Sequence, residues 1–268
     1  MTGKTIRTIS FAGAGNIAWN LAPALLNAGF EIRYILSRHT ETAGSLASAV
    51  GADAIDSIAV IDNETDLLLL ALPDQAIPGF LLNLANTGIY NGIVAHTSGT
   101  QSLEAITRLH PKGGVVYPLQ SFTRQTHPDI SKVPFCIEGS SPEIAEQLAV
   151  VARLLSNDVR FIESDQRAAI HLAAVFACNF SNYLFAVSDC LLKISKVNPD
   201  ILLPLIQETA LRLKGGDAAS LQTGPAVRGD WSTIEKHLRM LQNHPDLIEL
   251  YKTISDHIVK MKESGSPC

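Results

Sequence analysis

Gly13, Gly15 and Ala18 stand in the spacing G-x-G-x-x-G/A. That pattern is suited to holding the pyrophosphate of a dinucleotide. Gly13 permits a tight turn off a strand, Gly15 lets the backbone approach the phosphates, and Ala18 keeps a helix close to the sheet. Ala14, Asn16 and Ile17 complete the turn and open that helix. There the unpaired N–H groups and the positive dipole end face an anion. A lone match also arises in glycine turns that bind nothing. Here a β-rich run precedes the glycines, an amphipathic helical pattern follows to Gly29, and a second β-rich run ends at Ser37-Arg38. Residues 8–38 therefore read as the first βαβ unit of a dinucleotide-binding fold.

The end of that second run bears on which nucleotide. NAD sites carry Asp or Glu roughly twenty residues past the glycines to bind the ribose 2′-hydroxyl. This chain has Ser37, Arg38, His39 and Thr40. A hydroxyl and a guanidinium suit a 2′-phosphate, so NADP is expected over NAD. The alternatives are that Arg38 is a solvated loop residue, or that the fingerprint serves FAD.

Three further strand ends deliver polar groups toward the same crevice. The apolar run 66–72 has the continuous character of a strand buried on both faces. It ends at Leu72 and Pro73, which either wall the cofactor or, with Asp74, simply end the strand and cap the next helix. The strand 92–96 leads into His96, Thr97 and Ser98, candidates for cofactor contact. The strand 115–119 leads into Gln120 and Ser121, the latter a candidate for substrate contact. Small polar loops of this kind also arise as turn chemistry.

Strand patterns at 52–55, 135–137 and 159–162 and helical patterns at 41–50, 102–109 and 142–155 fill the remainder. The alternation predicts an α/β fold, a doubly wound and mostly parallel Rossmann sheet over 1–162, followed by an all-α domain over 163–268. In the second part Ser164 is the expected N-cap of an all-round apolar helix running 166–194. Such a helix belongs in a core or a subunit interface. His171, Cys178, Asn179 and Asn182 fall on one side of it at helical spacing. They form either a hydrogen-bonded core stripe or a face turned to the nicotinamide. Helical patterns at 204–213 and 246–262 follow, with the loop Thr223-Gly-Pro-Ala-Val-Arg228-Gly229-Asp230 between them. Either Arg228 and Asp230 are ligand contacts, or Asp230 pairs locally with Arg228 while Ser232 to Glu235 forms a capping box that opens the next helix.

The bulk numbers narrow the function. A chain of 268 residues, 46% hydrophobic and 18% charged, is ordinary for a compact globular protein. A net charge of −5 argues against nucleic acid as a partner. No apolar run approaches the roughly 18 residues of a membrane span, and no signal-peptide layout opens the chain. Cys136, Cys178, Cys190 and Cys268 are scattered without a C-x-x-C pair, which suits reduced thiols in a cytoplasm and gives no metal site.

With these residues in place the chain resembles the small two-domain NADP-dependent reductases. That group includes pyrroline-5-carboxylate reductase, ketopantoate reductase and the 6-phosphogluconate and 3-hydroxyisobutyrate dehydrogenases. More narrowly it resembles an oxidoreductase family with a Rossmann-like domain followed by a helical domain of unknown function. The segments that carry this are Tyr117 to Phe122, His171 to Phe180 and Thr223 to Asp230. The resemblance implies hydride transfer between nicotinamide and a C=O or C=N carbon of a small metabolite. It also implies a homodimer formed through the helical half. On this reading His171 is the acid/base and Asn179 orients it or the substrate, while Ser121, Asn182 and Arg228 meet the substrate. One departure is clear. The hydroxyacid dehydrogenases carry a Lys followed four residues later by Asn, where this chain has His171 and Val175. That departure motivates the rival reading, a non-catalytic module that binds NADP(H) and senses redox state.

Overall fold

The computed structural model describes residues 5–126 and 128–267, so Cys268 lies outside the described residues. The β-rich runs become eight strands in one sheet. They are β1 (Thr8–Ala12), β2 (Glu31–Leu36), β3 (Asp53–Ile55), β4 (Leu67–Leu70), β5 (Ile93–His96), β6 (Gly113–Pro118), β7 (Phe135–Gly139) and β8 (Val159–Phe161). Their order is β3-β2-β1-β4-β5-β6-β7-β8, the Rossmann order through β6. All neighbours are parallel except β6 and β7.

The run of leucines in β4 shows why the sheet takes helices on both faces. Successive side chains point to opposite sides. Leu67 and Leu69 join a core with Ile9, Phe11, Leu21 and Leu46, and Leu68 and Leu70 join another with Ile77, Leu81, Val94 and Ile106. Each buried leucine contributes about 1.5–3 kcal/mol. Helices α1 (Asn16–Asn27), α2 (Thr40–Val50) and α5 (Pro142–Arg153) supply the first core. Helices α3 (Ile77–Thr87) and α4 (Glu104–Thr107) supply the second.

Helix α4 is shorter than the 102–109 pattern predicts. Leu109 bonds back three residues to Ile106 rather than four, and beyond it the His110 side chain brings Nε2 within 2.7 Å of the Gly92 carbonyl and stacks on Tyr90. The expected N-cap Ser164 is also corrected. Glu163 caps α6 (Ser164–Ala174) in a reciprocal box with Gln166, because the Ser164 hydroxyl is engaged by Glu138.

The apolar helix 166–194 proves to be α6, a π-helical turn at Val175–Phe180, and α7 (Ser181–Ile194). It is not buried. Leu172 is 60% exposed and Phe176 64%, and Phe180, Tyr183 and Phe185 are exposed too. Ser164–Ile194 is also long and apolar enough to cross a membrane by length and composition, with mean hydropathy 1.5 over its best window. His171, Asn179, Ser181 and Asn182 interrupt the apolar run without lowering its average enough to fail that test, so the span is not one unbroken apolar stretch.

Two compact units result, Met1–Asn182 and Tyr183–Cys268. The first therefore runs past residue 162 and includes α6. The second holds α7, α8 (Leu203–Arg212), α9 (Pro225–Arg228), α10 (Trp231–Met240) and α11 (Pro245–Ser264). Asp230 caps α10, its carboxylate accepting from the Thr233 N–H and hydroxyl, so the capping box expected from Ser232 is not the cap.

Candidate functional site

The glycine turn between β1 and α1 has the geometry its sequence calls for. Gly13 has φ +105°, and a Cβ there would collide with the Ala71 carbonyl at the end of β4. Its N–H donates to the Leu36 carbonyl at 2.7 Å, which ties the turn to the end of β2. At Gly15 a Cβ would meet nothing within 4 Å. Gly15 is also the N-cap of α1 and brings no side chain to cap it. The helix thus begins at an open cradle, where backbone N–H groups can receive an anion.

A cleft of about 620 Å³ lies over this turn. Gly13, Ala14 and Gly15 form one part of its lining, Ser37 and Arg38 another, and Leu72 and Pro73 a third. The Ser37 hydroxyl accepts from the His39 N–H at 3.2 Å, shaping the loop that presents the exposed Arg38. Asn16 is exposed at the start of α1 and Ile17 packs partly against the core. The open cradle and a guanidinium at the end of β2 fit a dinucleotide bearing a 2′-phosphate.

The cleft also contains a cation that sequence reasoning missed. Arg124, in the loop after β6, lines it, and its Nη2 donates to the Ala14 carbonyl at 3.0 Å. The guanidinium lies over the Trp19 ring of α1, 5.6 Å from the centroid. Asn20 anchors the same loop by donating to the Thr123 carbonyl at 2.9 Å. In the sequence Arg124 is one arginine in a polar loop, and no spacing marks it.

The ends of β5 and β6 are built differently. His96, Thr97 and Ser98 are buried and none lines the cleft. His96 Nδ1 accepts from the Ser98 N–H, its Nε2 faces the Ser102 carbonyl at 3.4 Å, and Thr97 donates to the Leu70 carbonyl. The Ser98 hydroxyl accepts from the N–H groups of Thr100 and Gln101. These side chains brace their own loop. Burial, then the nearby Arg167 guanidinium, pushes the His96 imidazole down to about 4, so it is neutral at physiological pH.

Strand β6 outruns β5. Val115 pairs with His96, and Tyr117, two residues on, pairs across to Cys136 instead. There the Tyr117 hydroxyl lies 3.1 Å from His171 Nδ1, with the rings edge to face. A Cβ on Gly99 would come within 2.6 Å of the same nitrogen, so the imidazole packs on the backbone of the β5 loop. Burial raises the Tyr117 phenol, which keeps it protonated and able to donate. In one neutral tautomer Nδ1 accepts and Nε2 carries the proton; in the other, and in the imidazolium, Nδ1 donates to the phenol oxygen.

Helix α6 is brought there by Arg167, one turn before His171. Arg167 is fully buried, and its Nη1 donates to Glu138 on β7 at 2.5 Å. Its Nη2 donates to the Gln101 carbonyl at 2.5 Å and to Ser164 at 3.2 Å. A charge this deeply buried is tolerable only when paired.

The stripe drawn from His171 through Cys178, Asn179 and Asn182 is not assembled. Cys178, Asn179 and Asn182 are exposed, and the π turn changes the angular spacing on which the stripe relied. Ser121 is exposed, with its N–H on the Gln120 side chain. Arg228 is exposed at the end of α9 in the second unit. Tyr117 could have been found from the rule that ligands gather beyond the carboxyl ends of parallel strands. Arg167 left no sequence signal.

Comparison with known proteins places this geometry. Residues 8–95 match the family described as NADP oxidoreductase, coenzyme F420-dependent, and residues 133–258 match a domain of unknown function (DUF2520). The solved structure of a "putative NADP oxidoreductase" from Bacteroides fragilis is 38% identical, with a TM-score of 0.90 over 95% of this chain and 98% of that one. The chain belongs to this family of NADP oxidoreductases. The oxidoreductase also shares its fold with a reductive aminase from Aspergillus terreus in complex with NADPH and ethyl levulinate. That protein is 14% identical, with a TM-score of 0.69 over 98% of this chain and 96% of that one. An imine reductase from Myxococcus stipitatus in complex with NADP+ is similar as well, 15% identical with a TM-score of 0.65 over 97% and 96%. No curated protein matches the chain. The family's cofactor is NADP, the nucleotide expected from Ser37 and Arg38.

Proposed function

We propose that this oxidoreductase moves hydride between NADP(H) and the carbon of a C=O or C=N bond in a small metabolite, with His171 moving the accompanying proton. The observation that carries this is the open cradle at Gly15 inside a cleft flanked by Arg38. Bound NADPH supplies the hydride. Gly13, Ala14, Gly15, Asn16 and Ile17 hold the pyrophosphate at the start of α1, and Ser37 and Arg38 hold the 2′-phosphate by charge-assisted hydrogen bonds. Tyr117 holds the His171 ring in place, and in the reductive direction the imidazolium, with Nδ1–H donating to the Tyr117 oxygen, passes its Nε2 proton to the substrate heteroatom, after which solvent reprotonates the neutral ring. In the oxidative direction the neutral ring, with its proton on Nδ1 and Nε2 free, accepts the proton at Nε2 and becomes the imidazolium.

The exposed aromatic and leucine side chains along α6, the π turn and α7 suit pairing with a second copy, which light scattering of the purified protein tests directly. The exposed thiols of Cys178 and Cys190 suit a reducing cytoplasm.

The test of the chemical role is His171→Ala. NADPH affinity, read by nicotinamide fluorescence, is expected to stay within about twofold, because His171 is not part of the cleft lining. Turnover of keto-acid or imine substrates is expected to fall by about 10²–10⁴. Unchanged turnover would remove the role given to His171.

A further inference from the structure

The geometry points to Arg124 as a second phosphate-binding cation, one that clamps the cofactor's pyrophosphate from the loop after β6, while Arg38 reads the 2′-phosphate. This rests on the reading of the cleft as an NADP site. Three observations support it. Arg124 lines the cleft opposite no acidic side chain of the lining except Asp56, and it is held against the middle residue of the glycine turn, through the Ala14 carbonyl. That turn is where a pyrophosphate sits when a helix N-terminus receives it. Its guanidinium is also preset, lying over Trp19 and tethered through Asn20 to Thr123. One of its five N–H donors is used by Ala14, so others remain for an oxygen anion. Arg38 reaches the same cleft from the loop after β2 instead. The two arginines thus divide the cofactor between them.

The division makes the proposal testable with fragments. The experiment titrates wild type, Arg124→Gln, Arg124→Lys and Arg38→Gln with NADPH, NADH, ADP-ribose and adenosine 2′-monophosphate, by calorimetry or fluorescence. Arg124→Gln is expected to weaken NADPH, NADH and ADP-ribose about tenfold each and to leave the NADPH/NADH ratio unchanged. Adenosine 2′-monophosphate has no pyrophosphate, and its affinity is expected to stay within twofold. Arg38→Gln is expected to do the converse, weakening NADPH and the monophosphate while sparing NADH. Arg124→Lys, keeping the charge but losing the planar stack, is expected to fall between wild type and Arg124→Gln.

If Arg124→Gln leaves all four affinities unchanged, Arg124 has no part in binding and the cleft reading stands without it. If it lowers NADPH and adenosine 2′-monophosphate while sparing NADH and ADP-ribose, Arg124 reads the 2′-phosphate and the division is wrong. Equal loss of every ligand including the monophosphate, together with a lowered melting temperature, makes the role structural and overturns the assignment. Failure of the wild type to bind any of the four overturns the cleft reading itself, and the Arg124 assignment with it.

Discussion

Gly15 and Gly99 both stand in loops at the carboxyl ends of parallel strands, yet their surroundings are opposite. A Cβ on Gly15 meets open space, whereas one on Gly99 meets the His171 imidazole and the Tyr117 ring. The first loop leaves its backbone open. The second is filled by the protein's own side chains, and its glycine lets a histidine come close to the backbone. On the proposed function, then, the β1 and β4 ends receive the cofactor with help from Arg124 beyond β6, and the β5 loop and Tyr117 position His171. Glycine serves both ends for different physical reasons.

The largest effect is expected where the receiving end is structurally tight. Gly13→Ala places a side chain at φ +105° and against the Ala71 carbonyl, so a loss of about 3 kcal/mol or more is expected in urea unfolding. A stable, NADPH-binding Gly13→Ala protein would show that the turn tolerates what its geometry forbids.

The filled end has a pH signature. His96 is held at about 4, against an ordinary 6.5, by burial and by Arg167, with Asp74 and Glu138 acting weakly the other way. Above pH 6.5 it is neutral in both folded and unfolded chains. As pH falls from 6.5 toward 4 the unfolded chain takes up a proton that the folded one refuses, so stability declines, by about 3 kcal/mol for this group. His110, also lowered by burial, adds a decline of the same sign. Melting curves from pH 7 to 4 measure the sum, and His96→Asn should flatten the dependence.

Gly99→Ala sharpens the comparison further. The new methyl must displace the His171 ring or Tyr117, at an expected cost of about 1–3 kcal/mol. Turnover should fall while the KM for NADPH holds. Gly15→Ala should do the reverse. With ordinary φ and free space, stability should stay within about 0.5 kcal/mol while NADPH affinity drops. Equal effects of these two substitutions on cofactor affinity would erase the distinction between the ends.

Much of this was legible in the chain. Alternating β and α patterns, the leucine run of β4 and the Gly13–Ala18 spacing depend on local periodicity and on residues adjacent in sequence, and they gave the Rossmann half nearly strand for strand. The place of Ser37 and Arg38 just past β2 was equally readable, because a strand end has a known place in the fold. The helix after β8 was read correctly as apolar all round, but pattern alone could not choose between a core and an exposed face. The π turn escaped notice because nothing in Val175–Phe180 announces a change of pitch.

What the sequence determined by itself was therefore the local geometry and the kind of anion that the first βαβ unit can receive. The partnerships were decided only by tertiary structure: Arg167 with Glu138, Tyr117 with His171, and Arg124 with Ala14. Each joins residues from 29 to 110 positions apart. The reason is physical. A buried charge, a held imidazole or a clamped guanidinium is specified by what surrounds it in space, and that neighbourhood exists only once the sheet has set strand against strand.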